Sequence, residues 1–379
     1  MKMITYGQKV DCMRDKIEEI FGQIPDPRVI NRCDHKLIDI LFIAFCTLLS
    51  QGEDFEDMVE FGKQRKAWLE TVLELPNGIP SHDTFNRVLR IIEPQHLGEC
   101  LQADGAGLLD HVKDKLISLD GKKIKGASPD SRGNKGLYIL SAWVNDNRLC
   151  IGQKRIEDKT NEIIAIPQLI DELDVEGATI SIDAIGCQVD IAQKIRHSRA
   201  HYLLAVKGNQ KDLMEEIEEA FQYSSIQHYD ENWEYDHGRY ERRRCEVLDA
   251  KVSLSPNQLE RWIDVQQIIK ITAQRTIKEK TSTELRYYIS SLNQNDAKRF
   301  NELVRGHWGI ENHLHWHLDV TFNEDANRSR SGNAPVNLNI LRKMALQRIK
   351  QMKDRLSLKK RRFRAALNLE YLIKILTLV

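Results

Sequence analysis

The chain has 379 residues, enough for about two or three domains that each bury a core of their own. Hydrophobic residues make up 41% and charged residues 30%, which excludes a disordered chain and a membrane-embedded one. Lysine plus arginine and aspartate plus glutamate both number 56, so net charge by itself points to no nucleic-acid partner.

From the N-terminus to about residue 105 the pattern is helical. The opening "MKMITYGQKVDCM" has no apolar signal core, and the longest apolar run, "ILFIAFCTLLS" at 40–50, falls well short of the roughly 20 residues that span a bilayer. Seven cysteines scattered without a C-x-x-C pair argue against a zinc site or a disulfide framework. Together these features point to a cytoplasmic protein with no membrane partner. "HKLIDILFIAFCTLLSQ" predicts a buried helix and "FEDMVEFGKQRKAWLETVL" has helical apolar spacing. "IPSHDTFNRVLRII" predicts a helix after Pro80, capped by Ser81 or Asp83. Residues 1–105 are therefore expected to form a small helical domain. Asn86, Arg87 and Arg90 would project within a turn of one another, as on a helix that reads DNA bases, although an ordinary capped helix has the same pattern.

From 106 to 379 the pattern is that of a second domain. "KLISLDGK", "GLYILSAWVND" and "RLCIGQKRI" predict three strands. "NEIIAIPQLIDEL" predicts a helix, "ATISIDA" a strand, "QVDIAQKIRH" a helix and "HYLLAVKG" a fifth strand. Three strands, then helix, strand, helix, strand, predict a mixed α/β sheet of the ribonuclease-H-like kind. Residues 211–290 contain the β-rich runs "VQQIIKITAQRTI" and "LRYYISSL" and read as an insertion, after which "DAKRFNELVRGHWGIENHLHWHL" predicts one long helix. From Ala326 to Leu367 there are thirteen Lys or Arg and a single acid, Asp354, in a run that includes "KKRRFR". Such a tail reads either as a footprint for a polyanion or as a solvated helix face.

Asp120 lies at the tip of the first predicted strand and Asp183 at the tip of the fourth, each followed by small residues. An Asp before Gly is commonly a turn residue. In this sheet order, however, the two strands are neighbours and their carboxylates emerge side by side, an arrangement that repels itself unless a cation intervenes. Hard divalent ions take carboxylate oxygens together with water and substrate phosphate. Glu311 offers a third acid on the long helix, with His307 four residues before it, His315 four residues after it and Asn312 beside it. The spacing of His313 and His317 would also suit zinc, but no further Cys or His cluster supplies a third ligand. Lys122, Lys123 and Lys125 follow Asp120 where a phosphate backbone would approach. Lys207 and Asn209 in "VKGNQ" lie on the same edge, in what is otherwise an ordinary strand-to-helix turn. "HGRYERRR" brings His237, Arg239, Arg242 and Arg243 together, suited to DNA-backbone contacts or to an alternating charged strand.

These motifs together carry a resemblance. "HKLIDIL", "FEDMVEFG", "NGIPSHDTFNRV", "SLDGKKIKG", "SIDAIGCQVDIAQKI", "YLLAVKGNQ", "HGRYERRR", "RYYISSL" and "HWGIENHLHWHLDVTFNEDANRSR" occur in one order over most of the chain. They resemble the H-repeat-associated group of bacterial insertion-sequence transposases with an Asp-Asp-Glu catalytic domain. The resemblance implies Asp120, Asp183 and Glu311 as ligands of two Mg²⁺ or Mn²⁺ ions. It further implies strand cutting at the element's terminal repeats, transfer of the 3′-hydroxyl into target DNA, and a homodimer on double-stranded DNA. It also points to Arg328 and Arg330 in "NRSR" as DNA contacts. In the wider group a Tyr, an Arg and a Lys stand at fixed offsets around the Glu; here those offsets hold Val304, His307 and Leu318, leaving His307, His315 or Arg305 as substitutes. Two other readings use the same residues: a DNA-binding relative that no longer cuts, and a metal nuclease without strand transfer.

Overall fold

The computed structural model describes residues 6–127, 137–156, 162–236, 238–278 and 280–378. Six helices open the chain: α1 (Tyr6–Phe21), α2 (Leu37–Leu49), α3 (Phe55–Gln64), α4 (Lys66–Val72), α5 (His82–Ile91) and α6 (Pro94–Gly107). α2 is apolar nearly all round and is buried accordingly. "FEDMVEFGKQRKAWLETVL" folds as two helices that meet at Arg65, and Asp54 closes a capping box with Asp57 at the start of the first. Ser81 caps α5, its hydroxyl accepting from the Thr84 amide.

Strands β1 (Leu116–Lys123), β2 (Tyr138–Val144) and β3 (Leu149–Ile156) precede α7 (Glu162–Asp171). Next come β4 (Thr179–Ile182), α8 (Val189–His197), β5 (His201–Val206) and α9 (Lys211–Tyr223). The long strands β6 (His228–Asp236) and β7 (Arg239–Asp249) follow. Short helices α10 (Ala250–Ser253) and α11 (Pro256–Arg261) then lead to β8 (Gln267–Ile277) and β9 (Lys280–Ser290). All nine strands form one sheet in the order β3-β2-β1-β4-β5-β9-β8-β7-β6, with β1, β4 and β5 parallel and the other neighbours antiparallel. The first five strands are the ribonuclease-H-like core. The insertion does not stand apart as an appendage: β9 pairs with β5 and extends the same sheet by four strands.

Alternation along β1 sends Ile117 and Leu119 to the face covered by α7, α8 and α9, while Leu116 packs on the opposite face under α12 (Ala297–His307). The predicted single long helix is interrupted. α12 ends at His307, Trp308 turns, and the chain continues through π-helical turns at Glu311–His315 and His317–Thr321. Asn145, just beyond β2, is wedged beneath this break: its amide donates to the Gly306 carbonyl and accepts from Trp143 Nε1 at 3.2 Å. A Cβ at Gly309 would come within 2.0 Å of Asn145 Oδ1, and one at Gly306 within 2.6 Å of its Nδ2, so a side chain at either position would push Asn145 out of its wedge.

Three helices close the chain: α13 (Ala334–Lys350), α14 (Leu358–Leu367) and α15 (Leu369–Leu376). α13 is buried from Ala334 to Ile349, between α2, α5 and α6 on one side and β3 on the other. The N-terminal and C-terminal helices consequently share one core cluster.

This burial changes the reading of the basic tail. Of its thirteen cations, Arg342, Lys343, Arg348, Arg361 and Arg362 are buried. They bind internal acceptors in place of a polyanion: Lys343 donates to Ser141 Oγ at 2.8 Å and Gln153 Oε1 at 2.6 Å, Arg348 pairs with Asp104, and Arg361 meets Asp354 at 2.8 Å. Arg362 donates to the carbonyls of Leu48 (2.9 Å), Gly52 (3.1 Å) and Thr321 while lying over the Phe322 ring. Replacing Arg362 with Met keeps the stem but abandons those carbonyls. Chemical denaturation is expected to show a loss of roughly 2–3 kcal/mol, and an unchanged midpoint would mean that water replaces the guanidinium at no cost. Arg328, Arg330, Lys353, Arg355, Lys359, Lys360 and Arg364 remain exposed.

Candidate active site

Parallel pairing of β1 with β4 ends at Leu119 opposite Ile182. The next residue on each strand is an aspartate, so register alone sets Asp120 beside Asp183. β1 itself continues to Lys123 against β2, with Asp120 opposite Ser141, so Asp120 marks the end of the parallel pairing and not the end of the strand. Asp183 begins a 3₁₀ turn, its Oδ1 accepting from the Ile185 amide at 3.1 Å. Glu311 opens the first π-helical stretch and is exposed. Stretches of this kind recur at functional sites, where one widened turn re-aims side chains.

Burial, followed by the negative charges of Asp183, Glu311 and Glu162, pushes the Asp120 carboxyl up to about 8. Asp183 and Glu311 therefore lie within electrostatic reach of Asp120, as does Glu162, a fourth acid that sequence reasoning missed. Its only signal was an acid in the first turn of an amphipathic helix. Among the described residues, no three acidic, His or Cys side chains close around a single point tightly enough to grip an ion as they stand. The chemistry of the donor set nevertheless fits a hard divalent cation: all-carboxylate oxygen ligands whose mutual repulsion such an ion would relieve.

The two histidines flanking Glu311 turn inward. His307 Nδ1 lies 2.9 Å from Ser181 Oγ, and that hydroxyl donates to Ser118 Oγ at 3.2 Å. With the serine proton committed to Ser118, the imidazole is the donor, and this chain of contacts ties α12 to β4 and β1 just short of the two aspartates. Burial drives His307 down to about 4. His315 Nδ1 sits 3.4 Å from Asp120 Oδ2, and burial, then the charges of Lys343 and Lys122, hold it down to about 3. Both rings are neutral at physiological pH, so neither replaces a phosphate-binding arginine by charge. His313 and His317 are partly buried, and His317 Nδ1 lies 3.0 Å from Thr321 Oγ1.

The lysines after Asp120 part company. Lys122 is partly buried and faces inward, its Nζ 2.7 Å from Asp319, 3.1 Å from Glu324 and 3.5 Å from Asp325. Lys123 is half-buried near the Tyr138 ring, and Lys125 is exposed but paired with Asp325 at 2.9 Å. Lys207 is exposed at the end of β5. Asn209 donates to the Ala184 carbonyl at 2.7 Å, tying that loop to the turn after Asp183.

His237 lies outside the described residues. Gly238 turns the chain and Arg239–Arg244 begin β7, whose arginines are engaged: Arg239 with Glu241 (3.0 Å), Arg242 with Glu231 (2.8 Å) and over the Trp233 ring, and Arg243 with Asn301 (2.8 Å). Exposed Trp233, Tyr235 and Tyr240 lie among them. A cleft of about 1050 Å³ runs between the insertion and the end of α12 with its π-helical continuation, lined by Arg243, Arg286, Arg305, Trp308 and the exposed Asn312. Arg286 stacks over Trp308 at 4.4 Å, and Arg305 pairs with Glu234 at 2.6 Å. Arg328 and Arg330 are exposed, Arg330 Nε donating to the Gly126 carbonyl at 2.9 Å.

Comparison with known proteins agrees with this geometry. The family model described as "Transposase DDE domain" matches residues 111–348, and the one described as "DDE_Tnp_1-associated" matches 18–103. "Putative transposase YncI" of Escherichia coli O157:H7 is 37% identical over 370 residues, covering 93% of this chain and 92% of that protein. "H repeat-associated putative transposase YhhI" of Escherichia coli K12 is 34% identical, covering 95% and 97%. "Inactive transposase YbfQ" of the same strain is 38% identical over 74 residues, 20% of this chain.

Proposed function

Because this chain belongs to the family of transposases with a DDE domain, we propose that it cuts DNA at the ends of an insertion sequence. In this reading it then joins the freed 3′-hydroxyl to target DNA. The observation that carries the proposal is the register Leu119 to Ile182, which brings Asp120 and Asp183 together beside the helix that bears Glu311. Asp120, Asp183 and Glu311 would hold two ions, Mg²⁺ or Mn²⁺, which supply Lewis-acid polarisation of water and phosphate when bound. His315 steadies Asp120, and His307 holds the helix at the height that presents Glu311. With such ions held by Asp120 and Asp183, the scissile phosphate would lie between the sheet edge and the cleft.

The DNA is bound, in this proposal, along the insertion and the exposed cations of the tail. Arginine alternating with exposed aromatic rings on β6 and β7 suits both backbone phosphates and unstacked bases. A homodimer on the DNA would pair two ends, with residues 1–105 as an associated helical unit, in the cytoplasm where the chromosome lies. No described helix is long and apolar enough to cross a membrane.

The test is a labelled duplex carrying the element's own end, incubated with Mg²⁺ or Mn²⁺. End-specific nicking followed by joining supports the transposase reading. Nicking without end preference would indicate a nuclease, and specific binding without cutting a DNA-binding relative. A separate expectation concerns the insertion. Replacing Arg239 and Arg242 by Ala should weaken DNA binding and flatten the dependence of log K on log salt by about 0.9 for each phosphate that is no longer neutralised. An unaltered salt slope would remove these arginines from the interface.

A further inference from the structure

Glu162 is only 3% exposed, although it sits in the first turn of α7, where an ordinary acid would face water and the helix dipole. Its carboxylate lies against the backbone of Gly121, the residue after Asp120. A Cβ built at Gly121 would stand 2.1 Å from Glu162 Oε1. Side chains alternate along β1: Ser118 and Asp120 face α12, whereas Ile117, Leu119 and position 121 face α7. The glycine at 121 therefore leaves room on the α7 face of β1, and the Glu162 carboxylate fills it one residue past Asp120. One turn further along α7, Ile166 packs against Gly186, the end of the 3₁₀ turn that Asp183 begins. The same helix thus leans on both segments that carry the aspartates.

We propose, on the basis of the metal reading of this edge, that Glu162 is a fourth carboxylate ligand of the site, reaching it past Gly121, where β1 has run beyond its pairing with β4. Asp120, Asp183 and Glu311 arrive from the α12 side, and Glu162 arrives from the opposite face. It completes an all-oxygen set suited to two hard cations, which three carboxylates alone share sparingly. A cap role at the start of α7 needs no burial and no glycine opposite.

The experiment is Mn²⁺ binding to the full chain without DNA, read by electron paramagnetic resonance and by calorimetry, for the unmodified protein, Glu162→Gln, Gly121→Ala and Asp183→Asn. Glu162→Gln keeps size and hydrogen-bonding capacity but removes the charge, and Gly121→Ala keeps the carboxylate but pushes it away from β1. Both are expected to weaken Mn²⁺ binding by about 10- to 100-fold, with the metal-free melting temperature of Glu162→Gln held or raised as repulsion is relieved. Unchanged Mn²⁺ affinity in Glu162→Gln and Gly121→Ala alongside a loss in Asp183→Asn would overturn the assignment of Glu162 alone. Unchanged affinity in all three would overturn the metal reading of the edge and this assignment with it.

Discussion

Asp183→Asn and Glu311→Gln are each expected to lower metal-dependent cutting of the element's end by at least about 10³-fold while leaving binding of the same duplex within a few-fold of the unmodified protein. The amides keep the shape of the acids and remove their charge. Both side chains are solvent-accessible to some degree, so neither change opens a cavity in the core. Asp183→Asn keeps the side-chain oxygen that accepts from the Ile185 amide, which preserves the turn. A deficit of that size corresponds to about 4 kcal/mol of transition-state stabilisation, more than a misplaced surface contact supplies. The checks are single-turnover nicking of labelled DNA and a gel-shift titration side by side. If either variant retained full cutting, its acid would leave the proposed metal set; if both failed to bind as well, the missing cutting would say nothing specific about the chemistry.

Glu324→Ala is expected to destabilise the fold by roughly 3–5 kcal/mol. Glu324 is fully buried and ties three distant pieces of chain together. Its Oε2 accepts from Lys122 at 3.1 Å, and its Oε1 from Asn339 at 2.9 Å and Arg342 at 3.5 Å. Burial works against its charge, but Lys122 and Arg342 outweigh it and hold the carboxyl below the usual glutamate range. Removing the acid leaves an interior arginine without this carboxylate, and that, more than the missing hydrogen bonds, sets the size of the effect. At about 2.1 cal/mol/K per residue, a 379-residue chain melting as one unit loses about 0.8 kcal/mol per degree. The expected fall in melting temperature is then about 4–6 °C. Because the folded pKa is depressed, the stabilisation is complete above the unfolded value of about 4.5 and disappears as pH falls through the lower folded value. The difference between unmodified and variant protein should accordingly shrink as the pH falls below about 4. A gap that persisted unchanged at pH 3 would mean that packing around residue 324, and not its charge, carries the stability.

Much of this molecule is legible in its residues. Apolar alternation and turn residues locate β1 to β5, α7 and α8, because each is a local pattern with a local cause. Asp120 and Asp183 stand out because an acid at the end of an apolar strand is costly without a partner. The ranges of α1 and α6 do not stand out in the same way, and the π-helical turns after His307 are invisible along the chain, since they depend on Asn145 wedging against Gly306 and Gly309 from another strand.

Charge is where local reading fails most. Lys122 looks like a phosphate contact in the sequence and instead pairs inward with Asp319, Glu324 and Asp325, more than 190 residues further along the chain. Arg362, inside a run that looks solvated, donates to three carbonyls from two other regions. The sequence by itself determined the strands β1 to β5, the helices α7 and α8, and the family, because periodicity, turn chemistry and motif order are all written along the chain. Only the tertiary structure decided which cations face solvent and that Glu162 lies beneath Gly121. A charged group goes inside only where groups distant in sequence compensate it, and that meeting is a property of the folded chain alone.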